Sequence, residues 1–235
     1  MKTLLTLLFT LSVAAAPIQK IELKNRVYYL FVPDRPANSA PMPLVVTLHG
    51  SGRNGRILIE HWQKLAQSEG IVLAGPDATD TRMWQMPADG PEFIREVIED
   101  VKTKASIDPR RMLLFGHSAG AGFAMQLGLL QSTYFAAIAV HAGALDPNDY
   151  HLTEYADRKI PLFIAVGDRD RFFPLETVRA TRDALKTAGI PVELWEIPRH
   201  THDYYTESKS INARVWKFLA GQKLDADPKW KTYQY

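Results

Sequence analysis

Residues 111–130 read RMLLFGHSAGAGFAMQLGLL, and this stretch decides the fold. It begins with an apolar run typical of a buried strand and ends in a segment typical of a helix. Between them lies Gly116-His117-Ser118-Ala119-Gly120, a G-x-S-x-G turn in the strand-turn-helix context that the motif requires. Side chains at the two glycine positions of so sharp a turn would collide with neighbouring chain. We therefore predict that the turn presents Ser118 as a nucleophile.

Short apolar runs recur on both sides of this turn, with helical segments between most of them. The runs are LVVTLHG (44–50), IVLAGPD (71–77), FAAIAVHAG (135–143), PLFIAVGD (161–168) and VELWEIP (192–198). Nearly continuous apolar runs are typical of strands buried on both faces, so the pattern predicts an α/β fold, a mostly parallel sheet with helices on both faces. Helices are predicted at 56–68, 91–105, 119–131, 175–188 and 204–219. The alternating segment 18–33 breaks at Lys24-Asn25 and predicts an antiparallel N-terminal edge.

A serine hydroxyl needs a histidine to take its proton and an acid to orient that histidine. After this kind of turn the chain order is serine, acid, histidine. The predicted strand at 161–166 ends in Gly167-Asp168-Arg169-Asp170, at the sheet edge where loops face ligands. We prefer Asp170, which lies further into the loop. Asp168 is the alternative acid, unless it is a structural carboxylate that fixes the loop.

Two histidines precede the last predicted helix. His202 opens the stretch His202-Asp203-Tyr204 that leads into that helix, and we prefer it as the base over His200. His200 is then a residue of the pocket wall or an exposed one. A further histidine, His141, ends a predicted strand and either lines the pocket or packs in the core.

An anion that forms in the reaction needs hydrogen-bond donors, normally backbone amides in such a site. The strand LVVTL ends at His49-Gly50, and the amide of Ser51 is predicted to pair with that of Ala119. The glycine-rich stretch 49–55 matches neither phosphate-binding motif, and no spacing of His, Asp and Glu resembles a metal site. We expect no metal and no cofactor.

Five side chains are predicted to contact a substrate at the same sheet edge. His49 and His117 flank the two turns, and Trp84, Phe172 and Phe173 lie on loops where an aromatic or extended acyl group would stack. The alternative for each aromatic side chain is a cover over apolar core. Residues 143–161 are too few for a large cap, so an open site is expected.

The composition is that of an ordinary globular protein. The 235 residues carry 28 basic and 26 acidic side chains without a run of like charge, which argues against nucleic-acid partners. The absence of cysteine excludes disulfides, thiolate metal sites and a cysteine nucleophile. Residues 17–235 are long enough for one domain. Nothing in the sequence indicates an oligomeric state.

The N-terminal residues have the three regions of a secretory signal. One lysine is followed by an apolar run from Leu4 to Val13 and by small residues at 14–16. We expect residues 1–16 to be cleaved, leaving a secreted or periplasmic protein without a stable membrane anchor. An uncleaved anchor is the alternative, although the apolar stretch is short of the ~20 residues that span a bilayer.

With these parts, residues 27–219 resemble the polyhydroxybutyrate depolymerase and feruloyl esterase group of secreted α/β-hydrolases. The most specific part is DGPEFIREVIEDVKTKASIDPRRMLLFGHSAG (89–120), joined by the G-x-x-D-x-x-x-P spacing from Gly167 to Pro174. His117 and Ala119 stand where these esterases commonly have Leu and Asn. The resemblance implies the α/β-hydrolase fold with little or no cap. It also implies a serine carboxylesterase that forms an acyl-enzyme on Ser118 with a small or polymeric ester.

Two other functions remain open at this point. A serine peptidase on the same fold would use the same three residue types, but the chain has no room for a propeller or a large cap. A non-catalytic binding protein can also keep the fold, since fold alone does not prove activity. Such proteins usually lack one of the three catalytic side chains, and this sequence offers candidates for all of them.

Overall fold

The computed structural model describes residues 16–36 and 38–233. Within them, eight strands form one sheet: β1 (Gln19–Leu23), β2 (Arg26–Phe31), β3 (Met42–Leu48), β4 (Val72–Pro76), β5 (Ile107–His117), β6 (Ala137–His141), β7 (Leu162–Gly167) and β8 (Val192–Ile197). The α-helices of this part are α1 (Gly55–Glu69), α2 (Pro91–Lys104), α3 (Ala119–Leu130), α4 (Leu175–Thr187) and α5 (Tyr204–Leu219). A 3-10 helix covers Pro147–Tyr155. Apart from Ala16, the predicted signal at 1–16 lies outside the described residues.

The sheet has the order β1-β2-β4-β3-β5-β6-β7-β8. The strands from β4 to β8 in that order run parallel, whereas β1 and β2 form an antiparallel hairpin that joins the sheet along β4. The predicted sheet and its antiparallel edge are thus confirmed. The chain steps one way from β3 to β4 and the other way from β4 to β5, so the carboxyl ends of β3 and β5 meet where open α/β sheets bind ligands.

Each face of the sheet has its own core. On β3 the side chains of Leu44 and Leu48 point to one face and that of Val45 to the other, as period-two alternation requires. Helices α2, α3 and α4 cover the first face, and α1 and α5 cover the second. Each fully buried Leu or Val contributes roughly 1.5–3 kcal/mol relative to exposure. The apolar runs are therefore continuous because alternate residues of each strand enter one core and the residues between them enter the other.

The predicted helices are confirmed, with ends that differ by one residue at most. At the start of α1 the Asn54 side chain accepts a hydrogen bond from the Ile57 amide at 3.1 Å, which caps the helix. Gly70 ends it in the left-handed conformation at φ 71°. None of the described helices is long and apolar enough to cross a membrane.

The C-terminal tail, whose packing was not predicted, lies along the end of α3 that is remote from Ser118. The Gln131 side chain accepts from the Lys231 amide at 2.9 Å and donates to its carbonyl at 2.7 Å. The Trp230 ring meets the Tyr134 ring edge-on, with centroids 4.6 Å apart. The tail therefore covers the side of the molecule opposite the predicted site.

Candidate active site

Ser118 occupies the turn between β5 and α3 with φ 55° and ψ −118°. Such a conformation costs about 1–3 kcal/mol for a residue other than glycine, and it persists only where the surroundings fix it. A Cβ atom at Gly116 would lie 2.2 Å from the Gly120 carbonyl oxygen, and one at Gly120 would lie 2.0 Å from that of Leu48. The two glycines are thus required by close backbone contact. The turn projects the serine beyond the sheet edge.

The structure brings Ser118, His202 and Asp170 together in one line of hydrogen bonds. The Ser118 Oγ lies 2.9 Å from His202 Nε2, and His202 Nδ1 lies 2.8 Å from Asp170 Oδ2. The other carboxylate oxygen accepts from the amides of Phe172 and Phe173 at 2.9 and 3.0 Å. With Nδ1 donating to the buried carboxylate, Nε2 is free to accept the serine proton.

The two alternative residues lie elsewhere. Asp168 is exposed just after β7, and its carboxylate has no hydrogen bond or ion pair with any described residue. The structural role suggested for that carboxylate is therefore not seen. His200 is buried rather than exposed, and its Nε2 lies 3.0 Å from His141 Nε2. The described structure thus places Asp170 and His202, and not these neighbours, beside Ser118.

The turn after β3 approaches Ser118 closely. A Cβ atom at Gly50 would lie 3.2 Å from the Ser118 Cβ. Among the described residues, the amides of Ser51 and Ala119 have no hydrogen-bond acceptor. Two unpaired donors next to a nucleophile are what an oxyanion needs. Both predicted amides are therefore available to a reacting oxygen.

Two residues predicted to contact a substrate hold this turn instead. His49 is buried, donates from Nδ1 to the Gly50 carbonyl and accepts at Nε2 from the Ala78 amide. Burial lowers the pKa of His49 and keeps the ring neutral, as this pair of hydrogen bonds requires. The Trp84 indole donates to the His49 carbonyl at 2.9 Å and stacks on Phe123. The hydrogen-bonding groups of both side chains are therefore occupied by contacts within the scaffold beneath the turn.

An open cavity of about 930 Å³ lies in front of Ser118 and His202. Of the other predicted contacts, His117 and the 76% exposed Phe172 line it. Phe173 is not among the residues that line the cavity. Its ring lies nearly parallel to the His202 ring, with centroids 5.8 Å apart. Phe173 thus packs on the base, while Phe172 is available to a substrate.

Three arginines that were not predicted from the sequence as site residues also line the cavity. They are Arg53, Arg169 and Arg171, all exposed, and none forms an ion pair with another described residue. The acid that lines the cavity with them, Asp203, caps α5, and its hydrogen bonds with Thr206 lower the pKa of the carboxyl group. The cavity rim therefore carries excess positive charge. Arg169 and Arg171 flank Asp170 in the sequence, and their position beside the predicted acid could have identified them as residues of the site.

Residues 74–224 match the family described as the dienelactone hydrolase family. The chain belongs to the dienelactone hydrolase family. The expected α/β-hydrolase superfamily is thereby confirmed, and the finer likeness to polyhydroxybutyrate depolymerases stays a prediction.

Two relatives and one solved structure illustrate this family membership. The chain is 31% identical over 140 residues to a bifunctional acetylxylan esterase/xylanase of Neocallimastix patriciarum, covering 57% of this chain and 20% of that protein. It is 27% identical over 167 residues to NocK of Nocardia uniformis subsp. tsuyamanensis, covering 65% and 47%. The chain thus spans less than half the length of these relatives. A ferulic acid esterase structure shares the fold, with a TM-score of 0.69, 18% identity and coverage of 86% and 96%.

A chain of three buried histidines lies behind Ser118, Asp170 and His202 in this member of the dienelactone hydrolase family. His117 Nδ1 lies 3.1 Å from His141 Nδ1, and His141 Nε2 lies 3.0 Å from His200 Nε2. Burial, with His202 nearby, lowers the pKa of His117 to about 3. Burial, with His117 nearby, lowers that of His141 well below its usual range. His117 and His141 are therefore uncharged at neutral pH. No group of three or more His, Asp or Glu side chains in the described residues is arranged to hold a metal.

These low pKa values predict acid sensitivity of the fold. A histidine that is neutral in the folded protein binds its proton on unfolding, so stability falls as the pH drops from about 6.5 toward about 3. Each such group contributes about 1.4 kcal/mol per pH unit within that window. The free energy of unfolding, measured in denaturant, is expected to fall as the pH is lowered from about 6.5 to about 4.5. Most carboxyl groups titrate near about pH 4, below the greater part of this range.

The matched control for acid sensitivity is a histidine outside the buried set. His141→Leu should reduce the pH dependence by about one proton, whereas His151→Leu, at an exposed ring, should leave it unchanged. An equal pH dependence in all three proteins would show that the buried ring does not control acid stability.

Proposed function

We propose that this protein hydrolyses carboxylic esters through an acyl-enzyme on Ser118. The observation that carries the proposal is the unbroken line of hydrogen bonds from Asp170 through His202 to Ser118. That line ends at Ser118, which lines an open cavity, beside the amides of Ser51 and Ala119, which have no acceptor among the described residues. A nucleophile, its base and an anion site within reach of one atom define an acyl-transfer centre.

In the first step the Ser118 Oγ attacks the ester carbonyl carbon, and its proton passes to His202 Nε2. The carbonyl oxygen becomes an oxyanion, held by the amides of Ser51 and Ala119. The tetrahedral intermediate collapses, and the alcohol leaves with the proton from His202. Water then attacks the acyl-enzyme with the same base and releases the acid. Asp170 keeps the proton on Nδ1 throughout and stabilises the imidazolium.

Two features of the cavity suggest which esters enter. The exposed Phe172 ring lies 4.8 Å from the His202 ring, so an acyl chain or aromatic acyl group held at Ser118 can pack against it. The segment between β6 and β7 contains only the 3-10 helix, which leaves the cavity open to a large alcohol part. The Neocallimastix patriciarum relative is described in part as an acetylxylan esterase, and the solved structure as a ferulic acid esterase; both descriptions fit this class of substrate.

A series of para-nitrophenyl esters tests the reaction class. We would compare acetate, butyrate and octanoate with a ferulate ester and with a peptide para-nitroanilide. Turnover of esters with little or no turnover of the anilide supports the esterase. Turnover of the anilide alone would indicate a peptidase, and no turnover together with no labelling by a fluorophosphonate would indicate a binding protein.

The three arginines at the rim predict a preference for negatively charged esters. Each exposed pair of charges contributes up to about 1 kcal/mol, so the mono-para-nitrophenyl ester of glutaric acid should be hydrolysed about fivefold to tenfold better than the uncharged valerate. The comparison uses kcat/KM at low salt, corrected for hydrolysis without protein. At about 1 M salt the Debye length falls to about 3 Å, and the preference should shrink.

The control for this preference is an arginine outside the cavity. The double variant Arg169→Gln/Arg171→Gln should lose most of the preference, while Arg214→Gln, whose guanidinium pairs with Glu193, should keep it. A ratio near one that salt does not change would count against a role for the arginines in substrate choice and would leave the esterase proposal intact.

A further inference from the structure

The histidine chain, defined as His117, His141 and His200, connects the segments that carry the catalytic residues. His117 ends β5 and immediately precedes Ser118. His141 ends β6 and pairs with His117 across the parallel strands. His200 lies in the loop between β8 and α5, two residues before His202. The line of rings thus runs from the nucleophile's strand to the base's loop.

Backbone contacts of the same residues reinforce these connections. The Ser118 amide donates to the His141 carbonyl at 3.0 Å, which anchors the nucleophile to β6. The Arg169 amide donates to the His200 carbonyl at 2.9 Å, and a Cβ atom at Gly167 would lie 2.1 Å from that carbonyl oxygen. The loop before Asp170 therefore rests against the His200 backbone. All three catalytic side chains follow segments that the histidine chain contacts.

The hydrogen bonds of the histidine chain can all form only if the protons on the three rings are placed consistently. Each contact joins two ring nitrogens, so one of the two must carry a proton and the other a lone pair. A neutral His141 donates through one nitrogen and accepts through the other, which makes the protons of all three rings point the same way along the chain. Because the three side chains are buried, an unpaired ring nitrogen there would be costly. The cost holds the rings, and hence the loops, in one geometry.

The chain also contacts the base itself. The His117 ring lies against the His202 ring with centroids 5.2 Å apart, and it stacks on Tyr204 at an interplanar angle of 26°. A displaced His117 would therefore leave the His202 ring without support on that side.

We propose that His117, His141 and His200 are positioning residues that fix His202 relative to Ser118. The proposal rests on the proposed role of His202 as base. His141 is the middle member, and its ring alone contacts both others, so it is the residue to change. Misplacement by about 1 Å at a reacting centre can cost about a hundredfold in rate.

Three substitutions at this position separate the two hydrogen bonds. His141→Leu removes both, His141→Asn keeps a polar atom near the position of Nδ1 toward His117, and His141→Gln keeps one near Nε2 toward His200. We expect His141→Leu to lower kcat about a hundredfold with little change in KM. Since His200 leads into the base's loop, His141→Gln should recover more of kcat than His141→Asn. A residue that only stabilises the fold would change the unfolding temperature and not kcat.

The measurements are kcat and KM on a para-nitrophenyl ester, the rate at which a fluorophosphonate labels Ser118, and the thermal unfolding midpoint. His151→Gln, at an exposed ring whose contacts are with Asn148 and Tyr155, is the matched control and should match the unchanged protein. Folded His141→Leu with unchanged kcat and labelling rate would overturn the proposal. If that variant does not fold, His200→Gln provides the same test from the end of the chain.

The labelling rate also separates this proposal from the proposed function. If the unchanged protein turns over no ester while Ser118 is labelled, the esterase proposal fails, and slower labelling of the His141 variants still supports positioning. If Ser118 in the unchanged protein is neither labelled nor active, the role of His202 as base falls, and the positioning proposal falls with it.

Discussion

Replacing Ser118 by alanine is expected to abolish ester hydrolysis, with a loss in kcat of about a millionfold, as for nucleophile removal in other serine hydrolases. The Ser118 Oγ is the atom that would form the acyl-enzyme, and water held by His202 is a poor substitute for it. The measurement is release of para-nitrophenol from the acetate ester. Intact mass after brief exposure to a fluorophosphonate should show one adduct on the unchanged protein and none on Ser118→Ala.

A serine on the outer surface of α5 is the control for this substitution. Ser210 donates its hydroxyl to the Glu207 carbonyl, so Ser210→Ala should keep full activity and full labelling. Activity of Ser118→Ala above about one part in a thousand would mean that another group attacks the ester, because the residual rate expected from binding and the oxyanion site alone is far lower.

The fold was predictable because its signals are local. The G-x-S-x-G turn requires glycine because a Cβ atom at Gly116 or Gly120 would collide with neighbouring backbone atoms. Few other residues satisfy that geometry. The strands carry continuous apolar runs because both of their faces are buried. The tail gave no such signal, since Gln131 and Lys231 meet across a hundred residues through polar contacts that no periodicity records.

The site was predictable where chain order and spacing fix it. Ser118, Asp170 and His202 each follow a strand's carboxyl end, and these ends share one sheet edge. The use of Trp84 beneath the turn and the histidine chain were not predictable. Each depends on which way a side chain points across the sheet. The residue type alone does not distinguish a histidine that packs in the core from one that lines a cavity.

The choice between the two aspartates gives the second large effect. Asp170→Asn is expected to lower kcat by about three to four orders of magnitude. The new amide oxygen can still accept from the Phe172 and Phe173 amides, which turns the amide nitrogen toward His202 Nδ1. His202 Nδ1 must then accept a hydrogen bond from that amide nitrogen, so the ring proton moves to Nε2. A ring protonated at Nε2 cannot take the Ser118 proton.

Asp168→Asn is the matched control, because it makes the same chemical change two residues away on an exposed side chain without a described partner. It should change kcat less than about twofold, as substitutions away from specific contacts usually do. The reverse result, with Asp168→Asn inactive and Asp170→Asn active, would assign the orienting role to Asp168. Since both variants lose one negative charge from the same loop, loop charge cannot account for a difference between them. That difference therefore measures what a carboxylate contributes by its position against His202 Nδ1.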